Sequence, residues 1–174
     1  MTLLVVSDVH GRGSRLGDML AVQISRPEMI LFLGDGYSDV SRAETDGIPV
    51  VSVRGNCDMW SLVGMDDVPD ERMLDLDGRK ILMMHGHSRG VGYDTDRAVA
   101  YAASRGADIL LFGHSHVKYY HRYAAGDSVG GVTLEKELHA FNPGSLGQPR
   151  DGGEPSFGVI EMRREGMLFS WGKV

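Results

Sequence analysis

Apolar residues fall in short blocks along this chain, and the spacing between them changes with position. Residues 2–7 (TLLVVS) form a first apolar run that reads as a strand. Leu16, Met19, Leu20 and Ile24 then recur at helical spacing within 14–25 (SRLGDMLAVQIS), which predicts a helix. A second strand is expected at 29–34 (MILFLG). A short helix follows over 38–47, opened by Ser38 or Asp39 as a cap and stopped at Gly47. The run at 48–56 (IPVVSVRGN) is a third strand. Strands alternating with helices predict βαβ units and a largely parallel sheet.

The rhythm then changes. Residues 72–86 (RMLDLDGRKILMMHG) hold two apolar runs around Asp77-Gly78, a strong hairpin signal. A helix capped by Thr95 and closed by Gly106 leads to a buried strand at 107–113 (ADILLFG). From Lys118 onward the pattern reads as antiparallel strands, with a turn near Glu165-Gly166. The Gly-rich stretch 124–138 reads as a loop or a poorly defined hairpin. The expectation is one α/β domain over residues 1–174, with a parallel half and an antiparallel half.

Composition narrows the setting. The 174 residues are 42% hydrophobic and 24% charged, the mix of a soluble globular protein. Runs such as ILFL and ILMM are too short to cross a bilayer, so no membrane association is expected. The start, MTLLVVSDVHG, lacks the features of a secretory leader. Cys57 is the single cysteine, which suits a reducing cytoplasm. The net charge of −6 argues against stable binding of long nucleic acids, but not against a small phosphorylated ligand held through cations.

The chemistry collects where strands stop. Five apolar runs end in Gly or in residues able to bind metal: Asp8 and His10, Asp35, Asn56 and Asp58, His85 and His87, His114 and His116. In an open α/β sheet the carboxyl ends of the strands share one edge, where ligands bind. Any one of these residues has an ordinary explanation as a turn former, a helix cap or a surface histidine. Five occurrences at the same structural position do not. Mixed Asp, His and Asn donors without a thiolate cluster suit borderline divalent ions such as manganese, iron, nickel or zinc. Asp8, His10, Asp35, Asn56, His85, His114 and His116 are too many ligands for one tetrahedral zinc, and about right for two ions sharing a carboxylate.

The series SDVHG, LGDG, RGNCD, MHGHS and FGHSH, spanning 8–116, resembles the motif series of the calcineurin-like metallophosphoesterase superfamily. A further segment, FNPGSLGQPR at 141–150, resembles a signature of its small YfcE-like phosphodiesterase branch. The resemblance implies a four-layer α/β/β/α sandwich of two mixed sheets flanked by helices. It also implies two divalent transition-metal ions. Asp8, His10 and His116 would hold one, Asn56, His85 and His114 the other, with Asp35 bridging. Ser115, between the last two histidines, is expected to face elsewhere by strand alternation.

The activity implied is hydrolysis of small phosphodiesters by in-line attack of a metal-bridging hydroxide. Asn56 and His85 would offset charge on the phosphoryl group, and Asp58 would orient Asn56 or a ligand histidine. Many members carry a histidine after the metal-binding Asn to protonate the leaving group. Here Cys57 stands there, as in the YfcE-like branch, which leaves that role open and makes His87 the remaining candidate. Arg12 and Arg150, with Asn56, are candidate substrate contacts. Arg89 is a further candidate, and Asn142 and Ser145 belong either to the substrate rim or to a tight turn. The alternatives are a phosphomonoesterase or protein phosphatase with the same metals, or a non-catalytic Vps29-like scaffold. A scaffold would show replaced ligands, and none is replaced here. The run Met59, Trp60, Leu62, Val63 and Met65 reads as core, with a lid or a contact between identical copies as the alternative.

Overall fold

Strand alternation decides the layering. The computed structural model describes residues 1–58 and 67–174, so the apolar run beginning at Met59 lies outside the described residues. In chain order the elements are β1 (Thr2–Val6), α1 (Ser14–Ala21), β2 (Met29–Phe32), α2 (Tyr37–Val40), β3 (Val50–Ser52), β4 (Glu71–Leu76) and β5 (Arg79–Met84). Then come α3 (Asp96–Ser104), β6 (Ile109–Leu111), β7 (Lys118–Tyr123), β8 (Ser128–Val129), β9 (Val132–Thr133), β10 (Leu138–Pro143), β11 (Ser156–Arg163) and β12 (Gly166–Lys173). One sheet has the order β12-β11-β1-β2-β3 and the second β4-β5-β6-β10-β7.

Because side chains alternate along a strand, each sheet has two apolar faces. Leu3 and Val5 of β1 meet Ile81 and Met83 of β5, Ile109 and Leu111 of β6 and Phe141 of β10 in the core between the sheets. Their neighbours Leu4 and Val6 face Leu16 and Met19 of α1 and Val40 of α2. Leu82, Met84 and Leu110 face Ala98, Val99 and Ala102 of α3. The result is the four-layer sandwich of two mixed sheets. It also explains why these strands read as continuous apolar runs: both faces are covered.

Several local expectations change in detail. The parallel and antiparallel parts are not separate halves. β1-β2-β3 and β5-β6-β10 are parallel, and each group is extended by antiparallel neighbours within its own sheet. α1 ends at Ala21, where the Gln23 side-chain amide donates to the Met19 carbonyl (2.7 Å), and Ile24 is left fully exposed. α2 is a single turn. Neither Ser38 nor Asp39 caps it; Asp58, distant in sequence, accepts the Gly36 and Tyr37 N–H groups (2.8 Å each). Thr95 occupies the N-cap of α3 without a capping bond, and Asp94 Oδ1 accepts the Asp96 N–H instead. The β4–β5 hairpin turns through Asp77 and Gly78 with φ of 49° and 72°, the positive pair that a two-residue turn of this hand requires.

Candidate metal centre

β1, β2, β3, β5 and β6 point their carboxyl ends at one edge, and the residues after each form the site. The backbone there is unusual. Seven non-glycine residues have positive φ among the described residues, and five of them are Asp8 (56°), His10 (46°), Asp35 (60°), His114 (65°) and His116 (58°). Asp and His tolerate this region better than most residues, yet each such position costs on the order of 1 kcal/mol. Strain gathered on candidate ligands is what a functional constraint produces. Close approach adds to it: a side chain at Gly55 would overlap the Asp35 carboxylate, and one at Gly113 would overlap Ser7 Oγ.

Beside the trio of His10, Asp35 and Cys57, two further groups of donors result. Asp8, His10 and His116 form one, with His116 Nε2 at 3.2 Å and His10 Nε2 at 3.8 Å from Asp8 Oδ1. Asp8, Asp35 and His85 form the other, with His85 Nε2 at 3.4 Å from Asp35 Oδ2. His10 Nε2 is also 3.8 Å from Asp35 Oδ2, so Asp35 stands between the groups. Asn56 Oδ1 is 3.1 Å from His85 Nε2, and the His114 ring lies 5.1 Å from that of His85, centroid to centroid. Asp8, Asp35, His85 and His116 are buried. His10, Asn56 and His114 are half-buried, closing the site on its solvent side.

The electrostatics favour a cation. Burial alone would raise the Asp35 carboxyl, but the hydrogen bond and charge of His85 and the Cys57 N–H (2.7 Å) hold it far below the carboxylate range. Burial would lower His85 and His116. The carboxylates reverse this in both, Asp35 first for His85 and Asp8 for His116, so both imidazoles are raised. His114 and His87 are lowered, first by burial and then by the charge on His85. Burial, with Asp35 beside it, pushes the Cys57 thiol up to about 11. Asp8 Oδ1 is fully buried and accepts no hydrogen bond, while Oδ2 accepts from Ser7 Oγ (2.6 Å) and the His114 N–H (3.1 Å). A buried carboxylate oxygen without a donor is costly unless a cation meets it, and two imidazoles already converge on it. The donor set therefore fits a metal centre.

The surrounding residues do different work from that expected of some of them. Asp58 touches neither Asn56 nor a ligand histidine. Its Oδ2 accepts the Asp35 and Gly55 N–H groups (2.8 and 2.9 Å) and its Oδ1 those of Gly36 and Tyr37, so it fastens two site loops together. Its carboxylate is occupied by backbone, so it positions these loops rather than bonding Asn56 or a ligand histidine directly. Ser115 does face away from the site, where its Oγ accepts from Asn142 Nδ2 (3.1 Å), but not by strand alternation. β6 ends at Leu111, and left-handed turns at His114 and His116 separate the two rings. Arg89 stacks on Tyr101 (3.6 Å) and faces Glu71 (3.8 Å), so its guanidinium is engaged with these two side chains.

His87 stands at the exposed rim, 5.5 Å from the His85 ring. Arg12 and Arg150 are exposed on loops beside the site, and the Arg150 N–H donates to the His116 carbonyl. Asn142 and Ser145 are buried braces. Asn142 Nδ2 donates to the Gly113 carbonyl (3.0 Å) and Ser145 Oγ to the Asp8 carbonyl (2.8 Å). The imidazoles are aimed by backbone carbonyls inside two of the motif segments, LGDG and FNPGSLGQPR: Leu33 O faces His85 Nδ1 (2.8 Å) and Gln148 O faces His116 Nδ1 (2.6 Å). Carbonyls carry no sequence signal, so these contacts were not legible beforehand.

This fold, with its cluster of metal-type donors at one edge, is the arrangement of a metallophosphoesterase-type domain. Residues 1–165 match the model of the calcineurin-like phosphoesterase superfamily domain, and the chain belongs to that family. It is 28% identical over 165 residues to the probable metallophosphoesterase YsnB of Bacillus subtilis, covering 95% of this chain and 86% of that one. Identity to the phosphodiesterase YfcE of Escherichia coli K12 is 26% over 183 residues, covering 92% and 88%. The solved structure of Vps29 from Chaetomium thermophilum shares the fold, with a TM-score of 0.68 at 17% identity over 100% of this chain and 95% of that one.

Proposed function

We propose that this protein is a two-metal phosphodiesterase acting on small diesters in the cytoplasm, with the whole chain as one catalytic unit. The observation that carries the reading is that Asp8, His10, Asp35, His85 and His116 fall into overlapping groups of donors, with Asp8 Oδ1 buried and accepting no hydrogen bond. Asp8, His10 and His116 would hold one divalent ion and Asn56, His85 and His114 the other, with Asp35 common to both. Manganese is the first choice, and nickel, iron or zinc are compatible with the donors. When bound, such a pair supplies Lewis acidity and lowers the pKa of water enough for attack on phosphorus near neutral pH.

The chain's own groups prepare this. With Nδ1 committed to Leu33 O and Gln148 O, the rings of His85 and His116 present Nε2 to the carboxylates. Their raised affinity for protons means that a cation displaces protons as it binds. Asn56 is held between His85 and Cys57, its Nδ2 donating to Cys57 Sγ (3.3 Å). Arg12, Arg150 and Asn56 would meet the phosphoryl oxygens, and His87 at the rim would meet the leaving group. No imidazole follows Asn56, so substrates whose leaving group departs as a stable anion are preferred; a positioned acid contributes about 10²–10⁴-fold where it exists. The net charge of −6 keeps long nucleic acids off the surface. No described helix is long and apolar enough to cross a membrane.

The test compares bis-p-nitrophenyl phosphate with p-nitrophenyl phosphate after chelation and reloading with manganese, cobalt, nickel or zinc. The diester should show the higher kcat/KM; both probes release the same p-nitrophenolate, so the comparison reads diester against monoester and does not depend on a leaving-group acid. A preference for the monoester would make this a monoesterase with the same centre. No turnover with any ion would remove the enzyme reading and leave a Vps29-like scaffold.

A further inference from the structure

We infer that Arg15, which lies outside every motif, is a positioning residue for His116 and so for the ion that Asp8, His10 and His116 would hold. The inference rests on the metal reading above. Arg15 sits in the first turn of α1, half-buried, and its Nη1 donates to the carbonyls of Leu146 (2.8 Å) and Gly147 (2.7 Å). Those two residues are themselves buried. The N–H groups of the same segment are committed on its other side. Leu146 N donates to Ser7 O (3.1 Å), Gly147 N to Asp8 O (2.9 Å) and Gln148 N to Ser145 Oγ (2.7 Å). With donors and acceptors both tied, the peptides leading into Gln148 cannot rotate freely. Gln148 O is thereby held 2.6 Å from His116 Nδ1, and the opposite ring nitrogen faces Asp8 Oδ1 at 3.2 Å.

A guanidinium suits this task because it stays charged and carries its donors in a rigid plane. Without it, two buried carbonyls lose their donor. The N–H bonds would still anchor the segment to the residues just after β1, but the Gln148 carbonyl could swing away from His116. The other half of the centre is aimed independently. His85 takes its orientation from Leu33 O and Asn56, and neither contact passes through Arg15. The structure therefore assigns Arg15 an asymmetric effect, on one ion and not on the other.

The experiment uses the full chain with Arg15→Met, which keeps an apolar stem, and Arg15→Lys, which keeps one charged donor. Manganese binding to chelated protein is followed by calorimetry, and the His116 ring by nitrogen-proton correlation spectra. In Arg15→Met the ion at Asp8, His10 and His116 should weaken about 10- to 100-fold, the usual effect of losing a group that orients a ligand. The other ion should keep its affinity, His116 should lose its single tautomer, and Arg15→Lys should fall between. Equal loss at both ions, no loss at either, or an unchanged His116 tautomer overturns the inference. Failure of both variants to fold also overturns it, since Arg15 would then serve stability. If the unmodified chain binds no ion, the metal reading fails, while the His116 spectra still decide whether Arg15 sets that ring.

Discussion

Replacing Asp58 with Asn tests how the site is assembled, because it changes one oxygen to NH₂ at nearly constant shape. In the native chain four backbone N–H groups, of Asp35, Gly36, Tyr37 and Gly55, converge on this buried carboxylate at 2.8–2.9 Å. An amide offers one accepting oxygen, which keeps two of the four bonds, and turns its own donors on the other two N–H groups. Two hydrogen bonds to a charged acceptor are lost at about 1.5–3 kcal/mol each, or about 3–6 kcal/mol together. At roughly 2–4 °C per kcal/mol for a chain of this size, Tm should fall by roughly 6–24 °C.

The loss should also reach function. The Asp35 N–H, on a left-handed backbone (φ 60°), is held by this brace, so calorimetric titration with manganese should show weakened binding of any ion that Asp35 would hold. Differential scanning calorimetry and metal titration on the same preparation provide the check. An Asp58→Asn protein that melts within about 2 °C of the parent and binds manganese equally well would refute the brace.

Three further outcomes follow from particular contacts. Gly147→Ala places a Cβ on the Val9 carbonyl oxygen and should cost about 1–3 kcal/mol or more by overpacking; an unchanged melting temperature would show that the 145–148 segment has slack. Arg89→Ala should leave KM for a diester within about threefold, because the guanidinium is engaged with Tyr101 and Glu71 and not with the site, whereas a contact to phosphate would cost about 1.5–3 kcal/mol. Burial opposes ionisation of Asp108, but the Lys136 ammonium (2.6 Å) and the Lys80 N–H (2.7 Å) outweigh it and lower its pKa. Its stabilisation is therefore present above the unfolded-state pKa and lost as pH falls through the folded one. The stability gap between the parent and Asp108→Asn, at most about 1 kcal/mol with Lys136 half exposed, should be full near pH 7, begin to shrink as pH falls through about 4, and close only below the folded-state pKa. A gap that stays unchanged from pH 7 down to acid unfolding would contradict that assignment.

Much of this protein is written in its local pattern. Apolar runs covered on both faces mark strands such as Leu3–Val6 and Ile109–Leu111 at once, because burial selects side chains residue by residue. Ligand-type residues at the ends of five such runs announce the centre, because parallel strands must finish at one edge. The helix lengths, the role of Asp58, the turn that separates His114 from His116 and the engagement of Arg89 were decided only by the assembled structure. So were the aim of His85 and His116 and the reach of Arg15 across 131 positions to Leu146. These depend on backbone N–H and C=O groups, which every residue carries alike. Which of them comes within 3 Å of a given side chain is a property of how the two sheets stack, and no single stretch of sequence encodes it.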